Sequence, residues 1–65
     1  MIKTVIRCPD NMVMVFDENG EQIPLYQGQY KDVRRDILIY APPTTIFLYP
    51  SDKTPELREV PIKEW

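Results

Sequence analysis

Seven prolines in 65 residues cut this chain into short segments, so the fold must be assembled from brief strands and a single helix. No repeat, low-complexity tract or block of like charge interrupts that pattern, and residues 1–65 read as one small globular domain. A chain of this length lies near the lower limit for unaided folding. One cysteine cannot form an internal disulfide, and a lone thiol without histidine leaves almost no zinc-site spacing. Good packing or oligomerisation must supply what those staples would have given.

Within this punctuation the period of the apolar residues changes. Ile2 to Arg7 alternates Ile2, Thr4 and Ile6 with Lys3, Val5 and Arg7, a strand pattern closed by the turn residues Pro9-Asp10-Asn11. Met12 to Phe16 is apolar at every position, as in a strand with both faces covered. Asp17-Glu18-Asn19-Gly20 then supplies a hairpin turn leading to a third strand at Glu21 to Ile23, which Pro24 stops. After Gly28 the spacing becomes helical. Tyr30, Val33, Ile37, Tyr40 and Ala41 fall on one arc, with Lys31, Asp32, Arg35 and Asp36 opposite, Asp32 and Arg35 being spaced to pair. Ile39 also points outward, and Pro42-Pro43 ends the helix.

Thr45 to Tyr49 resumes as a strand that Pro50 closes. Thr54-Pro55-Glu56 has the form of a helix start, whereas Leu57 to Val60 suits an edge strand, which is the reading favoured here. The predicted architecture is α+β: a small antiparallel sheet of four to five strands, order β-β-β-α-β(-β), with one amphipathic helix packed on one face.

Composition closes several chemistries. Without histidine there is no Ser-His-Asp or Cys-His arrangement and no imidazole base, and two glycines cannot build a phosphate-cradling loop. No enzymatic activity and no cofactor are expected. Apolar runs of five residues are far shorter than the roughly 20 that span a bilayer, and Met1-Ile2-Lys3-Thr4 does not open a signal peptide. The expected setting is therefore cytoplasmic, without a membrane partner. Cys8 reads as a small hydrophobe rather than a nucleophile. Asp17, Asn19 and Glu21 alternate as at the start of a calcium loop, but Gly20 falls in the wrong place and no metal site is expected. The carboxylate pairs Glu56/Glu59 and Asp32/Asp36 lack any sign of the enclosed apolar pocket that would divide acid and base roles.

What remains is surface. One helix covers one face of the sheet, yet Met12 to Phe16 and Ile46 to Tyr49 are apolar on both sides, so something must cover the other. One expectation is that Val60 to Trp65 folds across it with Trp65 as the plug. The other, preferred here, is an interaction surface, in its simplest form a C2 homodimer, with Met12, Met14, Phe16, Phe47, Tyr49 and Trp65 at the contact and Ile39 at its periphery. A larger protein partner would use the same residues. The alternative from another class is a nucleic-acid-binding module using Arg7, Lys31, Arg34 and Arg35. A net charge of −2 and the intervening Asp32 and Asp36 argue against it.

Overall fold

The computed structural model describes residues 1–50 and 57–65. Five strands and one helix follow in the order β1 (Ile2–Arg7), β2 (Met12–Asp17), β3 (Gly28–Gln29), α1 (Tyr30–Tyr40), β4 (Ile46–Pro50) and β5 (Leu57–Glu59). They form an α+β fold with one five-stranded sheet, ordered β3-β2-β1-β4-β5. The predicted helix start at Thr54-Pro55-Glu56 lies outside the described residues. β4 runs one residue further than expected and includes Pro50.

The sheet is mixed rather than wholly antiparallel. β1 pairs antiparallel with β2 but parallel with β4, placing Val5 beside Phe47 and Ile6 beside Leu48. The cause is the position of the helix in the chain order. β3 runs antiparallel to β2 and leads directly into α1, which carries the chain back before β4 starts, so β4 enters the sheet in the direction of β1.

The β1–β2 hairpin turns through Asn11, whose φ of 66° is left-handed and tolerable for Asn. Asp17 organises the next turn: its Oδ1 accepts the N–H groups of Asn19 and Glu21 at 2.8 and 2.9 Å, while Gly20 takes a φ of 79°. The third strand is not where the sequence pattern put it. Glu21 to Ile23 contributes an isolated Phe16–Gln22 bridge, held by the Ile23 N–H on the Val15 carbonyl and by the Asp17 N–H on the Glu21 carbonyl, and no strand. Pro24, lacking an N–H, opens a 3-10 turn over Pro24–Tyr26. The free edge of β2 is completed by the Gln27 side chain, which accepts the Val15 N–H, and by β3.

α1 ends where Pro42 requires it, with the Ala41 N–H still reaching the Ile37 carbonyl at 2.8 Å. Its buried arc is turned slightly from the predicted one. Ile37 is fully buried, Tyr30, Val33, Leu38 and Ala41 pack around the core, and Tyr40 stands 64% exposed beside Tyr26, their ring centroids 6.1 Å apart. No ion pair joins Asp32 to Arg35; among the described residues the one ion pair links the Met1 ammonium to Glu18 at 3.3 Å.

The core comprises Ile2, Val5, Val13, Val15, Ile37, Phe47 and Trp65. Full burial of a Val, Ile or Phe side chain contributes roughly 1.5–3 kcal/mol, so these residues dominate the stability of the chain. Ile2 belongs here because of a bulge. Ile2 faces Asp17 and Thr4 faces Phe16, which leaves Lys3 as an extra residue on β1. Strict alternation would put Ile2 on the side of Thr4 and Ile6; the extra residue turns it to the side of Val5, where it is buried.

Candidate interaction surface

Cross-strand partners share a face, so the register sorts the sheet into two layers. On the core side lie Val5, Val15 and Phe47 in one row, with Val13 beside them. On the opposite side, Met14, Ile6 and Leu48 form a row across β2, β1 and β4, and Phe16, Thr4 and Ile46 form the next. Met12 extends this side toward β3. It is 38% exposed, and Gln29 Nε2 donates to its Sδ at 3.1 Å. The five apolar members of the two rows are half-buried, and none belongs to the core or to the described side chains packed around it. Ile37 of α1 lies in the core and Tyr30, Val33 and Leu38 of α1 and Tyr26 of the 3-10 turn pack against it, hence on the Val5 side, while Leu25 stays exposed. The second face is thus an apolar layer outside the core.

The residues expected at a common contact are divided between these layers. Met12, Met14 and Phe16 stand on the open side. Phe47 and Trp65 are buried in the core, and Tyr49 packs against it. Ile39 is exposed on the outer side of α1, which covers the other face of the sheet. The parallel β1–β4 register is responsible, because it aligns Phe47 with Val5 while aligning Leu48 with Ile6 and Met14. Ile6, Ile46 and Leu48 therefore replace Phe47 and Tyr49 on the open face. The alternation within each strand carried that information, but the register between β1 and β4, which lie about forty residues apart, is not written in either strand.

The C-terminal segment does fold back with Trp65 as a plug, but on the helix side. Val60 N–H donates to the Phe47 carbonyl at 2.9 Å, a 3-10 turn follows over Ile62–Glu64, and Trp65 enters the core at 2% exposure. Its ring lies 5.1 Å from Phe47 and 5.1 Å, edge-on, from Tyr30, while its buried Nε1 has no hydrogen-bond partner. Arg7 fixes the plug from outside. The guanidinium stacks 3.6 Å above the Tyr30 ring and 4.9 Å from Tyr49, donates to the Trp65 carbonyl oxygen at 2.7 Å, and grips Asn11 Oδ1 through Nε and Nη2 at 3.1 and 2.9 Å. Nothing in the sequence pattern signalled this cage, which joins residues from both ends of the chain.

The proposed basic face is correspondingly reduced. Arg7 is half-buried and engaged in the Trp65 cage, and the Arg34 Nε donates to the Tyr30 hydroxyl at 2.8 Å. Lys31 and Arg35 are exposed on α1 among the exposed Asp32 and Asp36. The half-buried Cys8 thiol sits at the β1–β2 turn. Glu56 lies outside the described residues and Glu59 is exposed. A cleft of about 330 Å³ between the Pro42-Pro43 loop and Pro61 has Glu59 as its one carboxylate; another of about 280 Å³ is lined by Asn11, Gln29, Tyr30 and Lys31. Among the described residues no three Cys, Asp or Glu side chains converge on a common point, and no helix is long and apolar enough to cross a membrane. No protein family, curated protein or solved structure matches the chain.

Proposed function

We propose that this is a non-enzymatic protein that acts by contact, forming a homodimer through the open face of its sheet. The observation that carries the reading is the pair of rows Met14–Ile6–Leu48 and Phe16–Thr4–Ile46, a layer apolar but for Thr4 that, among the described residues, lies outside the core. Such layers mark interaction surfaces more often than free solvent boundaries.

Area favours a second copy as the occupant. β1, β2 and β4, of five or six residues and spaced about 4.8 Å apart, give a central face about 15 Å wide and about 17–20 Å long, with the two- and three-residue strands β3 and β5 adding short edges. Two such faces in contact bury less than about 1,000 Å² in total, the range of a weak, concentration-dependent contact rather than of a larger partner's interface. Between β2 and β4 neither row carries a charge, but the Met14–Ile6–Leu48 row continues on β5 to the exposed Glu59, which a two-fold contact must keep at its rim. Two sheets stacked about 10 Å apart with strands crossing near 30° would complete a sandwich whose two outer layers are the helices. The cytoplasm suits a chain whose one thiol has no internal partner.

Absolute mass by light scattering over a concentration series, at low and high salt, tests the reading. A dimer that persists in salt and is converted to a folded monomer by Met14→Lys or Leu48→Lys is the expected result. A monomer at every concentration, or a dimer indifferent to both substitutions, overturns it.

A further inference from the structure

We infer that Met12 is an oxidation-sensitive site on the open sheet face, and that its conversion to methionine sulfoxide separates the two copies; the inference rests on the dimer reading above. Three observations converge on this residue. Among the described apolar side chains on that face its own is the most exposed, at 38%. It stands where β2 borders the two-residue strand β3, beside the rows that would meet the second copy. And Gln29 Nε2 already points at its sulfur from 3.1 Å.

The reaction needs only a hydroperoxide. The Met12 sulfur lone pair attacks one peroxide oxygen, the O–O bond breaks as the S–O bond forms, and the proton of the attacked oxygen passes to the departing hydroxide, so that sulfur loses two electrons and the peroxide ends as the sulfoxide oxygen and one water. A thioether is a weak acceptor, whereas a sulfoxide oxygen is a strong one, and the Gln29 amide is positioned to donate to it. In a separated copy the product is thus hydrogen-bonded and solvated. In the dimer the same oxygen must be buried against an apolar surface, which disfavours association. Linkage makes the effect reciprocal: pairing shields Met12 from peroxide, and oxidation favours the separated form. Met14 is less accessible, held within the Met14–Ile6–Leu48 row. Met1 provides an internal control, because it is 78% exposed and its ammonium pairs with Glu18, beyond the opposite end of β2.

The test treats the full chain with graded hydrogen peroxide, assigns sulfoxides by peptide mass spectrometry and measures mass by light scattering on the same samples. Sulfoxide is expected at Met1 and Met12 before Met14, with the dimer dissociation constant rising about tenfold or more in step with Met12. Met12→Leu should keep its dimer at the same peroxide dose although Met1 is oxidised, and the two methionine sulfoxide reductases should restore association of the unsubstituted chain. Oxidation of Met12 should slow as protein concentration rises, while that of Met1 should not. An unchanged dimer carrying Met12 sulfoxide overturns this inference alone, as does a Met12 oxidation rate independent of concentration. A chain that is monomeric before any peroxide overturns the dimer reading and this inference with it.

Discussion

Val5 and Ile6 are neighbours on the central strand, both β-branched and apolar, yet one is fully buried and the other stands outside the core. β2 and β4 on either side repeat that contrast: Val15 against Met14, Phe47 against Leu48. Hydrophobicity does not separate the two layers. What separates them is the cover, because α1, the Pro24–Tyr26 turn and Trp65 all close over the Val5 side. A small α+β chain with a single helix can finish one face from its own residues, and an equally apolar second face is then available for contact with another molecule. Substitutions on the two sides should accordingly report different things: folding on one, association on the other.

The largest effect is expected from Trp65→Ala. Removing the plug leaves a void bounded by Phe47 and Tyr30 and unseats the segment whose main-chain oxygen Arg7 bonds at 2.7 Å. A loss of about 3–5 kcal/mol is expected, a large part of the stability of a 65-residue domain. Urea unfolding followed by circular dichroism measures it; a loss below about 1 kcal/mol would mean that the C-terminal segment is not part of the closed layer. Trp65→Phe should cost less than Ala, since it keeps an aromatic ring while removing the unpartnered Nε1–H.

Arg7→Ala comes next, at about 2 kcal/mol, from the lost Tyr30 stacking and the bonds to Trp65 and Asn11. Arg7→Lys should recover only part of this, because an ammonium cannot grip Asn11 Oδ1 through two nitrogens while lying flat on Tyr30. If Lys restored full stability, the cage would be a charge effect and the planar geometry irrelevant. The single tryptophan makes the distinction measurable, since release of Trp65 from the core should red-shift its emission ahead of global unfolding.

How legible these layers are in the sequence depends on the range of the contacts that make them. β1, β2, the Asp17–Gly20 turn, the span of α1 and the strand after Thr45 follow from local period and from proline positions. The burial arc of α1 is less local: Tyr40 shares the angular range of Tyr30 and Ile37 but stands exposed beside Tyr26. The third strand escaped because a two-residue pairing at Gly28–Gln29 leaves no alternation to detect. The parallel β1–β4 register and the bulge at Lys3 required the crossover to be known, and between them they decide which residues face out. Met12, Met14 and Phe16 were therefore readable as a set, while their partners Ile6, Ile46 and Leu48 were not.

Val15→Thr exchanges similar volumes but puts a hydroxyl into the dry layer between Val5 and Val13. A loss of about 1–2 kcal/mol is expected, with association unchanged. Its counterpart on the open side, Ile6→Thr, should have the smallest effect on folding, below about 0.5 kcal/mol when measured on the dilute monomer. Thr4 already occupies that face in the next row, so a hydroxyl there meets water and no buried group loses a partner. Concentrated samples should behave differently. In the dimer Ile6 would lie in the centre of the contact, flanked by Met14 and Leu48, and its loss should weaken association while leaving the unfolding transition of the monomer in place. Equal destabilisation by Val15→Thr and Ile6→Thr at high dilution would erase the distinction between the layers, because it would show that the chain itself covers the Ile6 side.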